Sequence, residues 1–78
     1  MTAPVRCWLV YRGKRIDTFT TTVSTTDPQV ATEQLRRHLD GAMRADLGEH
    51  PTRSRIGYCL DVARTDLPDP LVTTVRLP

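Results

Sequence analysis

The sequence predicts a two-layer α+β fold, an antiparallel sheet with one amphipathic helix packed on one face, in the order ββαββ. Three observations carry that expectation. Two runs rich in β-branched and aromatic residues flank Arg12-Gly13-Lys14, one long segment repeats apolar residues three and four apart, and two alternating runs follow it around a proline-rich break.

The first strand is Val5 to Tyr11, Val-Arg-Cys-Trp-Leu-Val-Tyr, built from residues that suit a half-buried pleated surface. Gly13 then fits the second position of a type I′ turn or the first of a type II′ turn, both of which need positive φ there. Either closes a two-residue hairpin onto Ile16 to Thr25, where threonines favour strand over helix. Either turn also sorts the side chains in the same way. Val5, Cys7, Leu9, Tyr11 and Ile16 share the predicted core face with Thr18, Thr20 and Thr22. Arg6, Trp8, Val10, Arg12, Arg15, Asp17, Phe19, Thr21 and Val23 share the other. A three-residue loop with a bulge would change this parity.

Thr26-Asp27-Pro28 starts a helix, with Asp27 as N-cap and Pro28 at the first helical position, where its missing N–H costs nothing. The helix is expected from about Pro28 to Leu47, continuous through Gly41, with Gly48 after its end and Pro51 preventing resumption. Ala31, Leu35, Leu39, Ala42 and Met43 form its apolar stripe. On its outer face Glu33–Arg37, Arg36–Asp40 and Asp40–Arg44 stand four apart, so the charges answer one another. After a polar loop over Glu49 to Ser54, alternation of Ile56, Tyr58, Leu60 and Val62 with Gly57, Cys59, Asp61 and Ala63 marks a third strand. Thr65 to Pro70 is irregular, and Leu71 to Leu77 alternates as a fourth strand.

The chain has 78 residues, 38% apolar and 26% charged, with 11 basic against 9 acidic side chains. That length is one small domain, expected to span 1–78, and a core of this size rarely yields more than about 3–5 kcal/mol. Extra burial from a partner or a second copy is therefore a reasonable expectation. No segment reaches the ~18 apolar residues of a membrane span, and Met1 to Arg6 lacks a signal peptide's apolar region. With Cys7 and Cys59 read as free, buried thiols, a cytoplasmic, reducing location follows. Lys14 is the one lysine among 11 basic residues, an arginine bias that fits a GC-rich genome and a bacterial or phage-encoded accessory protein.

Catalytic signals are lacking. His38, His50, Cys7 and Cys59 show none of the spacings that grip zinc, and no serine lies in a nucleophile motif. Asp61, Asp66, Asp69 and Glu49 offer oxygen ligands, but aspartates beside prolines are ordinary turn formers. The expectation is a non-enzymatic protein with no cofactor, metal or small-molecule substrate.

Surfaces are more informative. If one helix covers one sheet face, the other face is left with Trp8, Val10, Phe19 and Val23 beside Cys59, Ala63 and Val72, and such clusters mark interaction sites. The expected function is a small binding or adaptor protein acting through that face, with Trp8, Val10 and Phe19 as anchors and Arg6, Arg12 and Arg15 around them. Its expected partner is itself, as a homodimer, or another protein. The alternative is a nucleic-acid-binding regulator that grips phosphates with Arg12, Lys14 and Arg15 at the hairpin tip. The pI of 8.8 and the self-neutralised helix argue against it.

Overall fold

The computed structural model describes residues 1–69 and 72–77. Strand β1 (Thr2–Tyr11) turns into β2 (Lys14–Ser24), helix α1 (Pro28–Glu49) follows, a short 3₁₀ turn (Arg55–Gly57) leads into β3 (Tyr58–Arg64), and β4 (Val72–Val75) closes the described sheet. The order is ββαββ, with α1 lying on one face of a four-stranded antiparallel sheet. Strand order β2-β1-β3-β4 puts the two hairpins side by side, and the central strands are β1 and β3. Leu71, expected to begin the fourth strand, and Pro70 lie outside the described residues.

Local chemistry explains most boundaries. Arg12 and Gly13 have φ of 50° and 83°, the two left-handed positions of a type I′ turn, which holds β1 and β2 in tight register at their ends. Asp27 accepts the Gln29 N–H at 2.9 Å, and Pro28 opens the helix. Leu35, Leu39 and Met43 are buried against the sheet, with Ala31, Ala42 and Leu47 at their margin. Opposite them, Val5, Cys7 and Leu9 of β1, Val23 of β2 and Tyr58, Leu60 and Val62 of β3 complete the core. Helix α1 runs past Gly48 to Glu49 and ends on His50, whose N–H donates to the Asp46 carbonyl.

Two expectations are corrected. Ile56 is not part of β3: it is 92% exposed in the 3₁₀ turn, and the strand begins at Tyr58. The reason is Gly57, whose carbonyl accepts the Arg12 N–H at 2.9 Å and whose backbone lies against Tyr11. A Cβ there would come within 2.8 Å of the Tyr11 ring, so only glycine permits this approach.

The second correction changes the faces of β2. Val10 pairs with Arg15, but Leu9 pairs with Asp17, so Ile16 is an extra residue forming a β-bulge. The turn is of the two-residue kind, yet parity still reverses from Asp17 onward. Phe19 and Val23, expected on the outer face, stand opposite Cys7 and Ala3 on the helix side. Thr18, Thr20 and Thr22, expected in the core, stand opposite Trp8, Arg6 and Pro4 on the open side.

Candidate partner-binding surface

The face of the sheet away from α1 is built from alternate residues of all four strands: Arg6, Trp8 and Val10 of β1, Arg15, Thr18, Thr20 and Thr22 of β2, Cys59, Asp61 and Ala63 of β3, and Val72 and Thr74 of β4. At its centre Trp8 stands between Thr18 and Asp61. The Arg15 guanidinium lies over the Trp8 ring, 4.1 Å from its centroid, while Arg15 Nε–H donates to Asp61 Oδ2 at 3.3 Å. The Thr74 hydroxyl donates to the other Asp61 oxygen at 3.1 Å. One connected group of four side chains therefore crosses the sheet from β2 to β4. Stacking the planar guanidinium on the indole leaves its remaining N–H groups available for a partner's acceptors.

The residues expected to form one interface divide as follows. Trp8, Arg6 and Arg15 share the open face, with Arg6 exposed beside Thr20 and Ala63. Val10 shares it too but is only 5% exposed, so it supports the surface and offers no anchor. Phe19 is on the helix side, half-buried, with its ring 6.0 Å from that of His38. The basic tip is split by strand alternation, although Lys14 and Arg15 both border one polar cleft with Asp46, His50 and Arg53. Lys14, paired with Tyr11, belongs to the helix side, Arg15 to the open side, and Arg12 sits in the turn with its guanidinium 5.5 Å from the Tyr11 ring centre.

A second polar cluster, at the end of α1, was not legible as a site. Asp46 Oδ2 accepts from the Tyr58 hydroxyl at 2.5 Å and from Arg53 Nη1 at 2.7 Å. Arg53 lies 5.0 Å from the Tyr11 ring centre, Tyr11 and Tyr58 pack with centroids 4.7 Å apart, and the Ser54 N–H donates to the Tyr11 hydroxyl. The Tyr58 hydrogen bond, aided by the Arg53 charge, holds the Asp46 carboxyl below the usual carboxylate range. Burial, reinforced by the Asp46 charge, raises the Tyr58 phenol. This cluster ties the helix end, the following loop and the sheet together. Its signal in the sequence was slight: Tyr58 fitted the strand alternation, but nothing marked Asp46 or Arg53 as its partners.

The remaining groups of chemical interest are engaged or inert. Cys7 is fully buried, and burial pushes its thiol up to about 11, so it is protonated near neutrality and a poor nucleophile. Asp66 is bound by Arg64 and Asp61 by Arg15. Among the described residues no three His, Cys, Asp or Glu side chains gather as metal ligands would, and no helix is long and apolar enough to cross a membrane. On α1 the outward charges pair as Glu33–Arg36 at 2.7 Å and Asp40–Arg44 at 3.0 Å. The first is a three-residue spacing in place of the expected four. No family model matches the chain, and no curated protein or solved structure is similar enough to suggest a relative.

Proposed function

We propose that the protein is a non-enzymatic binding module whose open sheet face receives a protein partner, with Trp8 under Arg15 as its centre. The observation that carries this reading is the Trp8–Arg15–Asp61–Thr74 group, which preorganises an aromatic and a cation on the sheet face that no described element covers. Trp and Arg are the residue types that most often dominate binding energy at protein interfaces. Arg6 and Arg15 outnumber Asp61 on this face. The complementary partner surface is acidic at its rim and apolar at its middle. Free, buried cysteines suit a reducing cytoplasm.

The test uses peptides selected by display against the immobilised protein and then titrated as labelled probes. Selected peptides should be rich in acidic and aromatic residues, should shift the emission of Trp8, the chain's one tryptophan, and should bind Trp8→Ala at least about 30-fold more weakly, a hot-spot loss. Binders that leave Trp8 emission unchanged and bind Trp8→Ala equally would overturn the reading. Labelled duplex and single-stranded oligonucleotides form the second arm. Salt-sensitive binding that weakens when Arg12 and Lys14 are replaced by alanine would move the function to nucleic acid.

A further inference from the structure

The sheet has two edges of different character. On β4 the described edge is four residues long, whereas β2 presents eleven, paired on one side with β1 and on the other with no strand among the described residues. Edges that must stay single are guarded by charge, proline, bulges or brevity. On β2 these devices sit in the first half: Lys14, Arg15, Asp17 and the bulge at Ile16. From Thr18 to Ser24 there is no charge, proline or glycine.

That stretch, Thr18-Phe19-Thr20-Thr21-Thr22-Val23-Ser24, is covered by the helix only at its end, where Gln34 takes the Ser24 N–H, and it reads the same in residue class from either end. It runs hydroxyl, apolar, threonine, threonine, threonine, apolar, hydroxyl. A two-fold axis at the centre of the stretch sets residue i against j and j against i, so this symmetry brings apolar against apolar and hydroxyl against hydroxyl at every pair.

We propose that β2 pairs antiparallel with β2 of a second copy of this chain about a two-fold axis at Thr21, joining two four-stranded sheets into one of eight. Phe19 then meets the partner's Val23 on the helix side, extending the apolar core across the axis, and Thr20 meets the partner's Thr22 on the open side. The backbone is ready for it. The Ser24 N–H donates to Gln34 Oε1 at 2.9 Å and not to β1. By strand alternation the N–H and C=O groups of Thr22 and Thr20 also point away from β1. These two residues from each copy supply the new ladder, each pair exchanging both of its N–H···O bonds.

Charge is compatible with the arrangement, because Lys14, Arg15 and Asp17 fall beyond the end of the partner's β2 and no like charges are set opposite. The helix flank over this edge is compatible as well. His38 Nε2 lies 3.1 Å from the Thr21 hydroxyl, and helical spacing puts Val30, Gln34, Gly41 and Ala45 on the same flank, bordered by Arg37 beside Val30 and Gln34. Both helices lie on one side of the joined sheet, so the two open faces become one continuous surface. The pairing is independent of the partner proposed for the open face.

The experiment is size-exclusion chromatography with light scattering across a dilution series of the full chain, with circular dichroism to confirm that each variant is folded. The chain should run at twice 8.8 kDa. Thr20 and Thr22 are exposed, and a glutamate at 20 lies next to Arg6, so substitution there spares the fold. T20E/T22E sets like charges opposite each other at both symmetric pairs and should weaken dimerisation by about tenfold or more. T20E/T22K sets opposite charges there and should restore it. A monomeric parent chain, a dimer indifferent to T20E/T22E, or a T20E/T22K variant as dissociated as T20E/T22E would each overturn the proposal.

Discussion

The two polar clusters of this molecule use the same parts on opposite sides of the sheet. Each has a carboxylate that accepts from an arginine and from a hydroxyl, and each arginine lies over an aromatic ring. On the helix side these are Asp46, Arg53, Tyr58 and Tyr11; on the open side they are Asp61, Arg15, Thr74 and Trp8. Burial separates them. The Asp46 and Arg53 side chains are 16% and 27% exposed, those of Asp61 and Arg15 21% and 48%. The hydrogen bonds follow the same trend, 2.5 and 2.7 Å at Asp46 against 3.1 and 3.3 Å at Asp61. With its arginine about half as exposed, the Asp46 cluster is the tighter clamp. With water admitted on the arginine side, the Asp61 cluster is a surface whose bonds can be exchanged for a partner's.

Removing each carboxylate should separate the two most widely. Asp46→Ala leaves the Tyr58 hydroxyl and Arg53 without their acceptor and should lower stability by about 2–3 kcal/mol, read as the midpoint of urea unfolding. Asp61→Asn, at an exposed pair, should cost about 1 kcal/mol or less. Equal losses would erase the distinction. Tyr58→Phe isolates the clamp's hydroxyl and should cost about 1–2 kcal/mol.

Acid sharpens the comparison further. In the folded chain Asp46 titrates below an unfolded aspartate's value of about 3.9, so it stabilises fully above that pH and loses the contribution as pH falls through the lower folded-state value. Unfolding measured between neutrality and strong acid should therefore show a shallower acid limb in Asp46→Asn than in the parent chain. A smaller effect is expected from Arg15→Ala, which should change stability by about 1 kcal/mol or less while uncovering the indole and moving Trp8 emission to the red. The smallest is a gain. Arg12→Asn relieves a side chain at φ 50° and should stabilise by up to about 1 kcal/mol, less whatever its guanidinium contributes over Tyr11.

What the sequence made legible was whatever neighbours in the chain determine. Gly13, Asp27-Pro28 and the Leu35-Leu39-Met43 stripe each act within a turn or two, and hairpin, helix start and packed face all lie where those residues put them. The bulge was illegible because one extra residue at Ile16 leaves the composition of β2 unchanged while reversing every side chain after it. Phe19 moved from anchor to core margin for that reason alone. Trp8 and Arg15 were singled out from their types, but their junction with Asp61 joins strands 46 residues apart, beyond any local pattern. Asp61 itself was grouped with Asp66 and Asp69 by sequence proximity, whereas pairing across β1 and β3 decides its role.

The position of β1 in the sheet also bears on how the chain assembles. Its pairing with β2 closes through a two-residue turn and can form within microseconds, as hairpins do. Its pairing with β3 must bring Val5 to Arg64 and Tyr11 to Tyr58 across the whole helix, a loop closure whose entropy cost is met before any contact rewards it. A hairpin formed ahead of that closure leaves the other edge of β1 bare, because β3 is the strand that pairs there. Substitutions in β3 that weaken this pairing would therefore leave the edge of β1 that it closes bare for longer during folding.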